Sequence, residues 1–310
     1  MSNRHILIAF LSVSIALVCY QAKADITITQ IEYQGWNQAV QISNGDVELV
    51  CVPQIGRIMR YSRVGGNNMI WNNPQMLGKI AKLTDAAVVW PNFGGDKLWP
   101  APQSAWNWPP DPVLDSSPQK LKILPDHHLL MIGNDSQKSG IRFEREIILD
   151  PKGTTVHIIN SMINTSKAAV KWGIWEIFQT NNPTRVFLPL NLSGHFTEGY
   201  AILSKPPFPA ADEYGGSLLL SRGKKNSYKF GTDAPVNTLR ALIHSEMITI
   251  SAPYYRSGDY PDGGCDAEVW SNPDPLDYME MEMMAPIHIL NPGEHVKFET
   301  TWKITPPQSP

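Results

Sequence analysis

Two glutamates on one predicted strand are the first candidates for chemistry. Residues 278–284 read Tyr-Met-Glu-Met-Glu-Met-Met. Because side chains alternate along a strand, Glu280 and Glu282 are expected on one face, roughly 7 Å apart, with the methionines on the other face. Two desolvated like charges raise the pKa of one carboxyl, which suits a general acid/base pair or the binding of hydroxyl groups. The alternative is the solvent face of an amphipathic edge strand.

Residues 90–112 form the second candidate, with four tryptophans, six prolines and the couple Asp96 and Lys97. That proline density predicts a connection, because each proline removes a donor and fixes φ. Flat apolar rings beside a few polar groups suit a ligand with C–H faces and hydroxyls, such as a sugar. Trp99, Trp106 and Gln103 are the expected contacts. The alternative is a hydrophobic lid over an open sheet end.

Two further segments could contribute polar groups. Alternation within residues 172–179 places Glu176 among large apolar neighbours, where its pKa would shift, and Gln179 on the opposite face as a hydroxyl contact. Either side chain could equally be paired within the core. The glycine-rich loop 253–266 offers Tyr255, Arg256 and Asp262 as carbohydrate contacts. Its oxygen-rich composition also leaves Ca²⁺ binding or a purely structural loop open.

Other chemistries have little support in the sequence. The histidines are scattered without metal-ligand spacing, and His195, beside Gly194, is the one that fits a loop site best. Neither a G-x-S-x-G nor a phosphate-loop motif occurs. Cys51 and Cys265 lie in no metal or redox pattern, and they could form a disulfide or remain free thiols. We therefore expect no metal and no cofactor.

The termini and the charge indicate where the chain works. Arg4 and His5 precede an apolar run at 6–18 and a small-x-small site ending at Ala24, which predicts a signal peptide over residues 1–24. Val18 is too bulky for lipoprotein processing at Cys19. We expect export to the periplasm or medium, with no membrane attachment after cleavage. The net charge of −3, without a basic cluster, argues against a nucleic-acid partner.

The remaining residues, 25–310, are predicted to form one all-β domain. Short runs of period-2 hydrophobicity are separated by Gly, Pro and Asn, which indicates a sandwich or barrel. Turn residues predict hairpins at 150–153 and 292–294. The best helical window, 73–85, contains Pro and Gly. Strands are predicted at residues 47–52, 58–63, 142–149, 155–162, 170–180, 247–252, 278–284 and 297–304.

Several motifs resemble those of galactose-mutarotase-like proteins. Gly56-Arg57-Ile58 and the stretch from Gly65 to Pro74 resemble the opening strands of that fold, and residues 278–302 resemble its closing strands. Residues 93–103, 260–264 and the Glu-x-Glu strand are closest to an uncharacterised bacterial domain-of-unknown-function family within the superfamily. The resemblance covers nearly the whole mature chain.

The resemblance implies a large antiparallel β-supersandwich that binds carbohydrate. In its epimerases a late glutamate is the general base, which corresponds by position to Glu282 or Glu280. The histidine acids of those enzymes do not carry over, and Asp96-Lys97 stands in one of their places. We therefore expect an exported protein that binds a carbohydrate or another polyhydroxylated small molecule. The alternative is a carbohydrate-active enzyme, either an aldose epimerase or a glycan lyase or hydrolase. The sequence leaves the oligomeric state open.

Overall fold

The computed structural model describes residues 26–209 and 211–306. The predicted signal peptide, residues 1–24, lies outside the described residues. Within the described ranges, no helix has both the length and the apolar character needed to cross a membrane.

Strands dominate the structure, and the helices are single turns. The helices are α1 (Leu83–Ala86) and α2 (Pro112–Asp115), and 3₁₀ turns occupy Pro53–Ile55, Gln103–Ala105 and Pro125–His127. The strands are β1 (Thr27–Tyr33), β2 (Trp36–Ser43), β3 (Val47–Val52), β4 (Arg57–Arg63), β5 (Asp96–Ala101), β6 (Lys120–Ile123), β7 (Leu129–Ile132), β8 (Ile141–Leu149), β9 (Val156–Asn164), β10 (Val170–Asn181), β11 (Arg185–Pro189), β12 (Ala201–Ile202), β13 (Asp212–Tyr214), β14 (Ser217–Leu220), β15 (Tyr228–Thr232), β16 (Thr238–Ile243), β17 (Glu246–Ser251), β18 (Ala267–Ser271), β19 (Tyr278–Met284), β20 (His288–Leu290) and β21 (His295–Thr305).

Two antiparallel sheets contain the strands of the described ranges. The first sheet runs β1-β2-β3-β4-β5-β10-β19-β18-β15-β12, and β20 pairs with the end of β10. The second runs β13-β14-β11-β16-β17-β21-β9-β8-β7-β6. The predicted all-β supersandwich is therefore confirmed.

The main core lies between the sheets, and strand alternation explains how each sheet contributes to it. Strands β8 and β9 alternate buried and half-buried residues along their full lengths. On β19, Met279, Met281 and Met283 enter this core with Phe298 and Trp302 of the other sheet. Glu280 and Glu282 must then project from the outer face of the first sheet. Since β19 lies between β10 and β18, the edge-strand alternative is wrong.

One of the two predicted hairpins is present in the structure. The hairpin joining β8 to β9 is present, with Asp150 N–H donating to the Thr155 carbonyl. The second predicted hairpin is wrong, because β20 pairs with β10 while β21 pairs with β9 and β17. Only α1 is helical within the window 73–85. Both described cysteines, Cys51 and Cys265, are free and buried, and burial raises the pKa of the Cys51 thiol to about 12.

The proline-rich segment contains a central strand, which the sequence argued against. Strand β5 carries Pro100 and pairs with β10 from Asp96 to Ala101. On its other side, β5 meets β4 at the single pair Ile58–Asp96. Pro100 lies outside that pair, so its lack of an N–H costs no hydrogen bond between β5 and β4.

Candidate binding site

A cavity of about 420 Å³ opens on the outer face of the first sheet, over β5, β10, β15, β18 and β19. Its size lies within the range of small-molecule sites. Its walls combine indole rings with amides, carboxylates and one ammonium group. The lining residues are Trp90, Asn92, Trp99, Gln103, Trp108, Trp175, Lys229, Trp270, Asn272, Leu276, Tyr278, Glu280 and Glu282.

Glu280 is held by two neighbours in adjacent strands. Its Oε1 accepts hydrogen bonds from Lys97 Nζ at 3.1 Å and from Gln179 Nε2 at 3.0 Å. Lys97 is completely buried, and this desolvation lowers its pKa even though Glu280 opposes the shift. Asn92 continues the network, accepting from Gln179 and donating to the Tyr278 hydroxyl. Glu280 is therefore fixed in orientation by Lys97 and Gln179.

Glu282 belongs to a second charged group. Its Oε2 accepts from Trp175 Nε1 at 2.8 Å and lies 2.9 Å from Lys229 Nζ. The same ammonium forms an ion pair with Glu268, which lies directly opposite Glu282 in the β18–β19 register. Burial raises the pKa of both carboxyls; the Glu282 charge raises that of Glu268 further, and the Glu280 charge raises that of Glu282 further. Lys229 is half-buried between them, and their charges outweigh its burial and raise its pKa.

Each cavity glutamate keeps one oxygen without a partner. Glu280 Oε2 and Glu282 Oε1 accept no hydrogen bond from the described residues, whereas the opposite oxygen of each carboxyl accepts two contacts. Both residues are more than nine-tenths buried and line the cavity. A ligand that enters can therefore donate to two fixed carboxylate oxygens.

The indoles of the cavity wall are packed edge to face around Trp99. Its ring centroid lies 5.5 Å from that of Trp90, 6.0 Å from that of Trp108 and 5.3 Å from that of Trp175. These distances and tilts are those preferred by aromatic pairs. Trp108 is the most open member, with 55% of its surface exposed.

Buried Asp115 anchors two of these indoles. Its carboxylate accepts from Trp99 Nε1 at 2.7 Å and from Trp90 Nε1 at 3.1 Å, and it pairs with Arg57 at 2.7 Å. Asp115 ends α2, so the short helix fixes the wall of the cavity from behind. Residues 90–112 thus form part of a cavity wall that is attached to the sheet.

The Gly94–Gly95 pair sets the path of the chain into β5. Both glycines have positive φ, 85° and 87°. A Cβ on Gly94 would lie 2.4 Å from the Trp71 carbonyl oxygen, and one on Gly95 would lie 2.7 Å from Met59 Sδ. Only glycine fits this close approach, which positions Lys97 beneath the cavity.

Asp96 and Glu176 lie on the opposite face, between the two sheets. Arg145 of β8 forms an ion pair with Asp96 and lies 3.7 Å from Glu176. Glu176 also accepts hydrogen bonds from Asn160, Thr300 and Trp302. Burial raises the pKa of Asp96 to about 8 and raises that of Glu176. These two carboxyls therefore join the sheets and do not reach the cavity.

Four other predicted contacts also lie outside the cavity. Trp106 packs on Trp99 and lines a smaller neighbouring cavity. Tyr255 and Arg256 line a separate surface groove. Asp262 lies in the loop before β18 and is absent from the cavity wall. Of the twelve predicted site residues, six are assembled at the cavity: Lys97, Trp99, Gln103, Gln179, Glu280 and Glu282.

His195 also lies elsewhere, in a loop contact. Its Nδ1 is 2.9 Å from Asp233 Oδ2, and its Nε2 is 2.7 Å from the Gly263 carbonyl oxygen. It therefore joins two loops and is absent from the cavity wall.

Lys229, Glu268 and Trp270 also belong to the site, although none of them was predicted from the sequence. A signal was available, because residues 267–271 read Ala-Glu-Val-Trp-Ser and alternate in the same way as β19. Glu268 and Trp270 have the same i, i+2 spacing as Glu280 and Glu282, which predicts that they share one face of the strand. Their proximity to Glu282 depends on the pairing of β18 with β19, which no local pattern specifies.

Comparison with known families agrees with this architecture. Residues 37–195, about half of the chain, match the family model described as a domain of unknown function, DUF4380. The chain belongs to the DUF4380 family. The matched region includes β5 and β10, which carry Lys97, Trp99, Trp175 and Gln179. No curated protein sequence matches the chain significantly.

Solved structures of galactose mutarotase-like proteins share the fold of this DUF4380 chain. A galactose mutarotase-like protein from Clostridium acetobutylicum is 12% identical, with a TM-score of 0.59 over 91% of this chain and 99% of its own. A proposed aldose 1-epimerase from Escherichia coli K12 is 14% identical, with a TM-score of 0.57 over 91% and 99%. A TPR-domain-containing protein from Parabacteroides distasonis is 14% identical, with a TM-score of 0.56; the match covers 86% of this chain and 47% of that protein. At these identities the similarity establishes the fold.

Proposed function

We propose that this DUF4380 protein is an exported carbohydrate-binding protein that holds its ligand in the cavity over β5, β10, β15, β18 and β19. The observation that carries the proposal is the pair of unpartnered oxygens, Glu280 Oε2 and Glu282 Oε1, facing a cavity walled by indoles. Sugars present hydroxyl donors on their edges and C–H groups on their faces, so they match both parts of the wall. The mutarotase-like fold supports a sugar ligand in general terms.

The test is calorimetric titration of the purified chain with common aldoses, comparing wild type with Glu280→Gln. We expect saturable binding to at least one monosaccharide. The Glu280→Gln variant should lose about tenfold in affinity, because an amide replaces one of the acceptor oxygens. The matched control is Glu299→Gln on β21, whose side chain is half exposed and remote from the cavity wall. Absence of binding to any saccharide, or equal losses in both variants, would contradict the proposal.

Export is part of the same proposal and rests on the pattern of residues 1–24. Mass spectrometry of the protein recovered from a periplasmic fraction should find Asp25 at the new N-terminus. Recovery of the full-length chain from the cytoplasm alone would refute export.

A second candidate function is aldose epimerisation of the same ligand. The observation that favours it is the presence of groups for proton transfer in one site: the carboxyls Glu280 and Glu282, and the ammonium groups Lys97 and Lys229. Ring opening needs a base to take the anomeric hydroxyl proton while an acid protonates the ring oxygen and the C1–O5 bond breaks. Glu282 or Glu280 would be the base and a lysine the acid.

Anomer exchange measured by NMR tests the catalytic candidate. Wild type should exchange the anomers of a bound aldose faster than buffer does, and Glu282→Gln should lose this acceleration while still binding the sugar. An exchange rate equal to that in buffer would exclude epimerase activity and leave the binding function standing.

A further inference from the structure

The carboxyls around the cavity outnumber the ammonium groups that pair with them. Three glutamates, Glu268, Glu280 and Glu282, share two ammonium groups, Lys97 and Lys229. The other ion pair beneath the wall, Arg57 with Asp115, is complete in itself. Among the described residues that line the cavity, Lys229 is the single basic side chain. One carboxyl therefore has no cation of its own. Burial and the Glu282 charge raise the pKa of Glu268, and a cation added to the cavity would favour its ionised form.

The indoles of the cavity wall differ in whether a cation of the protein lies over them. Lys97 Nζ lies 5.4 Å and 5.0 Å from the ring centroids of Trp90 and Trp99, and Lys229 Nζ lies 4.6 Å from that of Trp175. In the described part of the chain, no lysine or arginine lies over Trp108 or Trp270, although both rings line the cavity. Indole faces attract cations through the ring quadrupole. Two rings are therefore free for a cation that the protein does not supply.

The free indoles and free carboxylate oxygens lie side by side. Trp270 is directly opposite Glu280 in the β18–β19 register, where facing side chains have Cβ atoms roughly 5 Å apart. Glu280 Oε2 and Glu282 Oε1 are the unpartnered acceptors on the same face. Aromatic faces beside carboxylates are the arrangement that recognises an organic ammonium group.

We infer that the ligand of this cavity is an amino sugar whose ammonium group binds between Glu280, Glu282 and the free indole of Trp270. This inference rests on the proposed carbohydrate-binding function and names the class of sugar. The ammonium group supplies the charge that the two lysines do not, while the hydroxyls and C–H face of the ring use the rest of the wall. A neutral sugar of the same shape leaves the third carboxyl without a cation.

Sugars that differ only in the substituent at one carbon test whether charge or shape determines the affinity. Titration with D-glucosamine, N-acetyl-D-glucosamine and D-glucose, and with the corresponding galactose series, compares an ammonium, a neutral amide and a hydroxyl at the same carbon. We expect the amino sugar of one series to bind at least tenfold more tightly than both of its neutral counterparts. The preference should decrease as sodium chloride is raised, because salt screens the charge interaction.

Two variants test whether the cavity glutamates are responsible for the preference for the amino sugar. Glu282→Gln and Glu280→Gln should each reduce the preference for the amino sugar to less than threefold, while Glu299→Gln should keep it. Should either cavity variant fail to fold, the wild-type comparison among matched sugars decides the question alone.

The outcomes separate this inference from the proposed function. Equal binding of charged and neutral sugars, or tighter binding of a neutral sugar, overturns the amino-sugar inference and leaves carbohydrate binding intact. Failure of every sugar to bind overturns both. Cyclohexylamine binding as tightly as D-glucosamine would show recognition of an ammonium group without recognition of the sugar, which also overturns the inference.

Discussion

At the residue scale, the charged side chains of the cavity are buried, and each depends on an opposite charge for compensation. Lys97 has no exposed surface on its side chain and is bonded to Glu280. Removing one member of such a pair leaves the other charge buried without compensation, which is more costly than removing both. Lys97 therefore stabilises the site chiefly as the cationic partner of the Glu280 carboxylate.

A double-mutant cycle tests this interdependence. Lys97→Met should lower the free energy of unfolding by about 3–5 kcal/mol, whereas Lys97→Met combined with Glu280→Gln should recover a large part of that loss. Urea unfolding of the wild type, both single variants and the double variant measures the coupling. Simple additivity of the two single changes would contradict the proposed dependence.

Asp266 makes stability depend on pH. It is completely buried, neither of its side-chain oxygens has a hydrogen-bond partner in the described residues, and burial with the nearby Asp233 charge raises its pKa to about 8. The unfolded chain ionises this carboxyl near its ordinary value, while the folded chain keeps it neutral. Its contribution to stability is therefore full at low pH and is lost as pH rises towards 8.

We expect Asp266→Asn to flatten the pH dependence of unfolding. Between pH 5 and 7.5 the wild type should lose about 1.4 kcal/mol per pH unit more than the variant, since one proton separates the two states. Denaturant unfolding at several pH values provides the measurement, with the exposed Asp212→Asn as control. Parallel curves for wild type and Asp266→Asn would show that Asp266 is ionised in the folded protein.

At the element scale, the tryptophan segment divides into two functional parts. Trp108 is 55% exposed and lines the cavity, whereas Trp106 is half-buried, donates to the Pro100 carbonyl at 2.8 Å and packs on Trp99. One indole therefore contacts the space for the ligand, and the other supports the wall.

Alanine substitution should separate these parts. Trp108→Ala should lower saccharide affinity by about tenfold with little change in melting temperature, because an exposed ring contributes little to the core. Trp106→Ala should lower the melting temperature and leave affinity nearly unchanged. Calorimetry provides both quantities, and the reverse assignment would mean that Trp108 only covers the sheet.

The elements also show what the sequence could predict. Alternation in β19 predicted that Glu280 and Glu282 share a face with the methionines behind them, because that pattern is local. Asp96 and Glu176 were included as site residues because their types suit chemistry, yet the pleat directs them into the core. Lys229 and Glu268 were missed because their meeting with Glu282 depends on pairing between distant strands. The periodicity of a strand predicts which side chains share a face, whereas the pairing of distant strands determines which side chains meet.

At the scale of the whole molecule, one buried arginine joins the two sheets. Arg145 projects from β8 in the second sheet to Asp96 on β5 and Glu176 on β10 in the first. The cavity lies on the other side of those same two strands. The ion network therefore supports the strands of the cavity without contacting the ligand space.

Replacing Arg145 should destabilise the protein without changing its ligand preference. Arg145→Met leaves two buried carboxyls without their cation and should cost about 3–5 kcal/mol. The control is Arg142→Met on the same strand, whose half-buried pairs with Asp135 and Glu144 should contribute about 1 kcal/mol or less. Equal losses in the two variants would show that the arginine between the sheets contributes no more than a surface pair.

The edge-to-face indoles around Trp99 have an optical consequence. Rings whose centroids are 5.3–6.0 Å apart couple their electronic transitions, so the near-ultraviolet circular dichroism of the protein should be dominated by this one cluster. Trp99→Phe should remove far more of the signal than the loss of one chromophore explains. Trp90, Trp99, Trp108 and Trp175 all line the cavity. A bound ligand should therefore change this spectrum, so that binding can be followed without a label.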